Sequence, residues 1–250
     1  MAAPEPWSRC IVTTGDATLP RSVSRRSGLA RGYNMQRCTA CALPPEACMC
    51  ARTPSRDTGL HFWILVHPEE QRKPTNTARL MAAALPHTRL FPWYRTTPPG
   101  ALLQLLHDRQ FMPYLLFPQG DRTLLTQVQK RPWLPERTPA FVLLDGTWSQ
   151  ASKMLNKSPY LQGLPRLALL PQSPSAYTLR RQRHGTHLST IEVAIALLAQ
   201  LEPPPCSALL GAYFRVFTER FLAARHGHRV KKCLPEMAQL LSYNQPSKET

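Results

Sequence analysis

The chain has 250 residues, with 31 lysines and arginines against 15 acidic residues and a formal net charge of +16. This length can bury a sizeable core without disulfides, and it fits one large domain or one domain with small appendages. The positive surplus favours a polyanionic partner, nucleic acid before an anionic membrane surface. No apolar run approaches the roughly 20 residues that span a bilayer, which excludes a transmembrane helix.

The first 34 residues are rich in arginine and serine and poor in acidic residues, which is typical of a disordered basic arm. A mitochondrial transit peptide shares this bias, and a native start at Met35 would make residues 1–34 a non-native extension. The opening residues lack the basic head and long apolar centre of a secretory signal. We therefore expect a cytoplasmic protein.

Four of the seven cysteines lie close together, at Cys38, Cys41, Cys48 and Cys50. Four thiolates in so short a loop can enclose one tetrahedral zinc ion, and a closed four-cysteine sphere is structural rather than catalytic. An iron–sulfur cluster is the main alternative, and a group of free thiols is a third. The odd number of cysteines is more typical of a protein in a reducing compartment than of one held together by disulfides. We predict that residues 35–56 form a small metal-binding element.

After this element, short apolar runs alternate with amphipathic segments. The predicted strands are 61–67, 90–94, 114–117, 141–144 and 167–170. The predicted helices are 75–85, 101–108, 148–156 and a segment from about 188 to the prolines at 203–205, followed by a helix whose apolar stripe is Leu210, Tyr213, Phe214, Phe217 and Phe221. Strands separated by helices predict an α/β fold with a mainly parallel sheet flanked by helices.

The predicted strand 141–144 is followed directly by a carboxylate, Asp145, and by a turn at Gly146. Thr147 can then cap a helix that begins at Trp148, because its side-chain oxygen can accept from a free first-turn amide. Ligands of such sheets bind outside the carboxyl ends of the strands, which is where Asp145 is expected. The alternative is that Asp145 only shapes the turn and Trp148 only fills the core.

Asp-Gly-Thr-Trp resembles the D-x-T-W signature of the DTW-domain family, and further segments resemble blocks of that family. They are RCTACALPPEACMC (37–50), HPEE with TNTAR (67–79), LLFPQG (115–120), PSAYTLRRQ (174–182) and HLSTIEVAIALL (187–198). The resemblance covers about 37–198. It implies a fold related to the knotted SPOUT-type methyltransferases. It also implies transfer of the 3-amino-3-carboxypropyl group of S-adenosylmethionine to N3 of a uridine in tRNA, leaving methylthioadenosine.

The resemblance also implies site residues. For S-adenosylmethionine it favours Phe117, Pro118, Ser175, Tyr177, Arg180, Leu188, Ser189 and Thr190. Because the weakly acidic N3 proton must be removed, we predict Asp145 as the base, oriented by Thr147, with Trp148 packing or stacking beside the ligand. A block formed by His67, Glu69, Asn76 and Thr77 is predicted to shape the loop on the RNA side.

The HLSTIE segment has a second interpretation, because Ser189 and Glu192 have the spacing of a capping box that starts a helix. A pure helix cap is therefore the alternative to a role in binding the cofactor.

We predict a catalytic domain at 57–235 and a tail at 236–250. The partners expected are tRNA and S-adenosylmethionine, with no membrane, and an oligomer is compatible with this fold. Two other functions fit the same features. One is an RNA methyltransferase that uses the same cofactor, and the other is a zinc-containing RNA-binding protein without catalysis. The sequence identifies neither the tRNA nor the modified position.

Overall fold

The computed structural model describes residues 36–121, 137–169, 175, 178–179, 188–201, 205–228 and 235–243, to which the structural statements below refer. Within these ranges one sheet contains five strands, β1 (His61–Val66), β2 (Thr88–Pro92), β3 (Phe111–Asp121), β4 (Thr138–Asp145) and β5 (Arg166–Leu167). The strand order is β2-β1-β4-β3-β5, and every described pairing is parallel. The predicted α/β fold with a parallel sheet is confirmed.

The described α-helices largely follow the predicted order. They are α1 (Pro68–Gln71), α2 (Ala78–Ala84), α3 (Gly100–His107), α4 (Trp148–Asn156), α5 (Pro159–Gln162), α6 (Thr190–Leu201), α7 (Pro205–His226) and α8 (Pro235–Tyr243). The predicted α4 has the observed bounds, whereas α2 begins three residues late because the Asn76 side chain accepts from the Ala78 amide. In the described part of the chain, none of these helices is long and apolar enough to span a bilayer.

Two hydrophobic cores cover the two faces of the sheet, because successive strand residues point to opposite sides. The first core receives Phe62 and Ile64 from β1 and packs them against α2, α6 and α7. The second core receives Trp63 and Leu65 and packs them against α3 and α4. Asp145 shares the strand parity of residues that enter the first core, so β4 directs its side chain toward α2 and α6.

The four-cysteine element is attached to the first core. Cys38 and Cys41 are buried in that core. Helix α7 contributes its predicted apolar stripe to the same core, and all five residues of the stripe are buried. The Thr53 hydroxyl lies 3.1 Å from the Tyr213 hydroxyl of α7. Arg220, also on α7, donates to the carbonyl oxygens of Ala47 and Cys48 at 2.9 and 3.2 Å. The element therefore holds the N-terminal part of the described chain against the longest helix.

Helix α8 also packs against this region, with Met237 and Leu240 buried in the first core. The predicted tail at 236–250 therefore begins within a packed helix, and the domain boundaries remain predictions. The knot that the resemblance implies depends on the path of the chain through segments outside the described ranges. It also remains a prediction.

Candidate active site at the carboxyl edge of the sheet

Asp145, the last residue of β4, has its carboxylate held by two side chains from other segments. Asn76 Nδ2 donates to Oδ2, and Thr190 Oγ1 donates to Oδ1. The Asn76 amide is itself oriented, because its Oδ1 accepts from the Ala78 amide at 2.9 Å. Asp145 is only 6% exposed. A buried carboxylate with both oxygens accepting hydrogen bonds has a fixed orientation, which a catalytic group requires.

The starts of α2 and α6 are joined directly beside this carboxylate. Thr77 Oγ1 accepts from the Ile191 amide at 3.3 Å, and both Asn76 and Thr77 are buried. Asn76 and Thr77 were predicted only to shape a loop, and the contact of Asn76 with Asp145 was not predicted. No local pattern indicates that contact, because it depends on β1 and β4 being neighbours whose carboxyl ends meet at one edge of the sheet.

Thr147 forms the predicted cap of α4. Its Oγ1 accepts from the Gln150 amide at 3.3 Å, and the Gln150 side-chain oxygen accepts from the Thr147 amide at 2.8 Å. A Cβ at Gly146 would lie 3.0 Å from the Gln150 Cβ, so the close approach favours glycine in this turn. The hydrogen bonds described for Thr147 belong to the cap, whereas Asn76 and Thr190 hold Asp145. Orientation of Asp145 by Thr147 remains a prediction.

Trp148 lies on the other side of the same strand end. It is 39% exposed, and its ring stacks on the buried Phe117 ring with centroids 5.4 Å apart and an interplanar angle of 21°. Trp148 therefore does not simply fill the core. The structure brings together two residues with different predicted roles, Trp148 beside the ligand and Phe117 in the binding of S-adenosylmethionine. Pro118 follows Phe117 in β3 and is exposed.

His67 and Glu69 lie at the end of β1, next to these groups. His67 Nδ1 accepts from the Glu69 amide at 3.3 Å, and the His67 ring stacks on Trp93 with centroids 5.7 Å apart. Glu69 accepts from Gln150 Nε2 at 2.8 Å, which joins α1 to α4. These contacts build the edge of the sheet, and the role predicted for this block on the RNA side remains a prediction.

Several of the residues predicted to bind the cofactor lie at the start of α6. Leu188 and Ser189 precede the helix and are half-buried, and Thr190 is its first residue. Ser175 is brought to this point through Glu192, whose carboxylate accepts from the Ser175 hydroxyl. Tyr177 and Arg180, which the resemblance also favours, lie outside the described residues.

Arg79 supports the loop that leads to Asn76. Its Nη2 lies 3.3 Å from the carbonyl oxygens of both Gln71 and Lys73 and donates to them. Burial lowers the pKa of Arg79, and the negative charges of Cys41 and Asp145 oppose that shift. The guanidinium therefore places a positive charge near both the cysteine element and Asp145.

The four cysteine sulfurs have the spacing of a single-ion site. All lie within 4.8 Å of one another, with Cys38–Cys50 at 3.6 Å and Cys41–Cys48 at 3.8 Å. Zinc–sulfur bonds of about 2.3 Å in a tetrahedron require sulfurs roughly 3.8 Å apart. The inorganic sulfides of an iron–sulfur cluster would need a wider cage. The donor set therefore fits one zinc ion.

Charges around the sulfurs agree with a thiolate site. A hydrogen bond from Cys50 lowers the pKa of Cys41 to about 5, and the same hydrogen bond raises the pKa of Cys50, so the pair favours the thiolate at Cys41. Arg52 Nη1 and Arg220 Nε are buried and have no hydrogen-bond partner within the described ranges. The negative charge of Cys48 and Cys41 favours the charged form of Arg220, although burial lowers its pKa overall. These guanidinium groups can offset the negative charge of a metal–thiolate centre.

The DTW domain family model matches residues 35–222, from the cysteine element into α7. The chain belongs to the DTW domain family. Curated relatives carry the name tRNA-uridine aminocarboxypropyltransferase 2. The mouse protein is 31% identical over 180 residues, covering 68% of this chain and 57% of the relative. The Macaca fascicularis protein is 27% identical, covering 66% and 56% respectively.

The Drosophila melanogaster protein of the same name is 29% identical, and the match covers 68% of each chain. This DTW chain therefore spans just over half the length of the mouse and macaque relatives. No solved structure matches it. Within the matched DTW region lie Asp145 and the side chains that hold it.

Proposed function

We propose that this DTW-domain protein transfers the 3-amino-3-carboxypropyl group of S-adenosylmethionine to N3 of a uridine in tRNA and releases methylthioadenosine. Its relatives' names support a tRNA-uridine transferase. The single observation that carries the proposal is the buried Asp145 carboxylate, fixed by Asn76 and Thr190 inside the Asp-Gly-Thr-Trp signature. An α/β sheet places such a group where ligands bind.

Asp145 has one chemical task in this reaction, which is to accept the N3 proton of the uridine. The new bond joins N3 to the carbon next to sulfur, that carbon–sulfur bond breaks, and the sulfonium leaves as a neutral thioether. Because the leaving group is good, the protein mainly orients the reactants and selects which of three carbons is attacked. Asn76 and Thr190 serve this task by fixing the carboxylate before substrate arrives.

The other groups of the edge are proposed as ligand contacts. Trp148, which is 39% exposed and stacks on Phe117, is proposed to contact a nucleobase or the adenine with its aromatic ring. Leu188, Ser189 and Ser175 are proposed to contact S-adenosylmethionine from the start of α6, with Pro118 beside Phe117. Tyr177 and Arg180 are carried by the resemblance alone.

The four cysteines and the net charge complete the proposal. Cys38, Cys41, Cys48 and Cys50 would hold a zinc ion that stabilises the fold and takes no part in the transfer, because a closed sphere leaves no open position. The net charge of +16 supports binding to the tRNA backbone. We also propose that the protein acts in the cytoplasm.

The decisive experiment follows both products of the transfer. Purified protein is incubated with S-adenosylmethionine and unmodified tRNA, and the small molecules and digested nucleosides are measured by mass spectrometry. We expect methylthioadenosine in equal amount to aminocarboxypropyluridine, and none without tRNA. Release of S-adenosylhomocysteine would support the methyltransferase alternative, and RNA binding without either product would support the non-catalytic one.

A further inference from the structure

Glu192, on the first turn of α6, is a buried carboxylate that accepts hydrogen bonds from the residue before the helix and from a separate segment of the chain. Its Oε2 accepts from the Ser189 amide and hydroxyl at 2.7 Å each and from the Ser175 hydroxyl at 2.8 Å. Its Oε1 lies 3.0 Å from the same Ser175 hydroxyl. Ser175 precedes Glu192 by 17 residues, and Glu192 is 8% exposed. The carboxylate therefore joins a separate segment to the start of the helix.

A helix cap alone does not require this arrangement. The same chain has a complete capping box at α4, where the neutral Gln150 occupies the position that corresponds to Glu192. Capping boxes accept glutamate or glutamine at that position. Burying a charged group is costly unless hydrogen bonds compensate, and hydrogen bonds to a charged acceptor are roughly twice as strong as neutral ones. A charge at Glu192 therefore suggests a task beyond the cap.

The neighbours of Glu192 indicate that task. Thr190, two residues earlier, donates to Asp145, and the Ile191 amide donates to Thr77 beside Asn76. Fixing the start of α6 therefore fixes one of the two groups that hold the proposed base. Ser175 and Ser189, the two residues joined by Glu192, are both proposed cofactor contacts. One carboxylate thus connects the proposed cofactor side of the site with the base.

We propose that Glu192 is a positioning residue of this active site, holding Ser175 at the start of α6 for cofactor binding and Thr190 against Asp145 for turnover. The inference rests on the proposed function. It assigns Glu192 no contact with the substrates. We therefore expect both cofactor affinity and turnover to depend on the Glu192 carboxylate, although neither substrate contacts it.

The test compares Glu192→Ala, Ser175→Ala and the double variant. The readouts are S-adenosylmethionine affinity by calorimetry, single-turnover rate and thermal midpoint. We expect Glu192→Ala to weaken cofactor binding and slow turnover by about tenfold each, and Ser175→Ala to weaken binding to a similar degree. The double variant should bind no worse than Glu192→Ala, because linked residues are not additive. Glu219→Ala removes an exposed carboxylate from α7 and should match wild type.

Additive losses in the double variant would overturn the inference, and so would a lowered thermal midpoint with normal affinity and turnover. If Glu192→Ala does not fold, Glu192→Gln replaces it. This variant keeps a residue that capping boxes accept, but it replaces hydrogen bonds to a charged carboxylate with neutral ones of roughly half the strength. Its affinity should fall at least about threefold, and an unchanged affinity would overturn the inference. Wild type that binds no cofactor would refute the proposed function itself, whereas equal binding by wild type and variants would refute only the role of Glu192.

Discussion

The end of β4 has two sides that differ in burial and in bonding. On the side of the first core, Asp145 is 6% exposed and is held by Asn76 and Thr190. On the side of the second core, Trp148 is 39% exposed and is held by ring stacking on Phe117. A group that must act with fixed geometry is buried and hydrogen-bonded, whereas the Trp148 side chain is more than one third exposed.

Substitutions on the two sides of this strand end should therefore have different effects on activity. Disturbing the first core should reach Asp145 through the starts of α2 and α6 and should change the rate of the reaction. Disturbing the second-core side should change the affinity for a ligand that stacks on Trp148.

The largest effect is expected from loss of the metal. Purified protein should contain about one zinc per chain, and Cys41→Ser should lose it. Structural zinc contributes strongly to folding, so the variant should have a much lower thermal midpoint and no measurable activity. Because Cys41 is buried in the first core, amide hydrogen exchange should increase more in α6 and α7 than in α4.

Cys206→Ser is the matched control, since Cys206 lies in α7 outside the group of four sulfurs. It should keep the zinc and the activity. Equal increases of exchange in α4 and α6 would show that the cysteine element does not act preferentially on the Asp145 side. Elemental analysis that finds neither zinc nor iron would remove the metal site from the proposal.

The second effect concerns Asp145 itself. Asp145→Asn keeps the size of the side chain and one carbonyl acceptor but removes the proposed base. We expect folding and cofactor affinity close to wild type, and a single-turnover rate lowered by about a hundredfold or more. The measurement is the rate of methylthioadenosine release at saturating tRNA and cofactor. A normal rate would show that Asp145 shapes the turn and does not take the proton.

The third effect concerns Trp148. Trp148→Ala removes the exposed stacking surface, and loss of stacking with a base costs about 1–3 kcal/mol. We expect KM for tRNA or for the cofactor to rise by roughly tenfold or more while kcat changes little. Trp148→Phe should recover most of the affinity because a flat ring remains. A fall in kcat with unchanged KM would show that Trp148 acts on the Asp145 side of the division.

The sequence predicted the central strands β1 and β4 because each carries a continuous apolar run, as is typical of buried parallel strands. It predicted α4 to the residue, because Thr147 and Gln150 form a local cap that is visible in the sequence. It did not predict that β3 extends to Asp121, since the residues after Phe117 are not an apolar run. The order of the strands in the sheet could not be predicted from the sequence either, because it depends on long-range packing.

The residues of the candidate site also differ in how far local sequence patterns could indicate them. Asp145 could be found because its position after an apolar strand is a local pattern. Its partners Asn76 and Thr190 lie 69 and 45 residues away in the chain, so only the fold brings them to it. Glu192 carried a local signal of a helix cap, and this signal concealed its contact with Ser175.

The smallest effect is expected at the opposite end of the sheet, where His61 begins β1 and stacks on His87 with ring centroids 4.5 Å apart. Burial lowers the pKa of His61 from its ordinary value of 6.5, and the positive charges of His87 and Arg89 lower it further against the opposing effect of Asp57. The folded state therefore resists protonation of His61 more than the unfolded state does.

The stability that His61 contributes is consequently present above about pH 6.5 and is lost as the pH falls toward the lowered pKa. His61→Phe should reduce the fall in thermal midpoint between pH 7 and pH 5 by about 1–2 °C, a small value because His61 is partly exposed. Six strand residues place His61 roughly 17 Å from the carboxyl edge, so the pH profile of turnover should be the same in His61→Phe and wild type. A shifted profile would show that the amino end of the sheet influences the Asp145 side, and the division between stability at one end and chemistry at the other would be wrong.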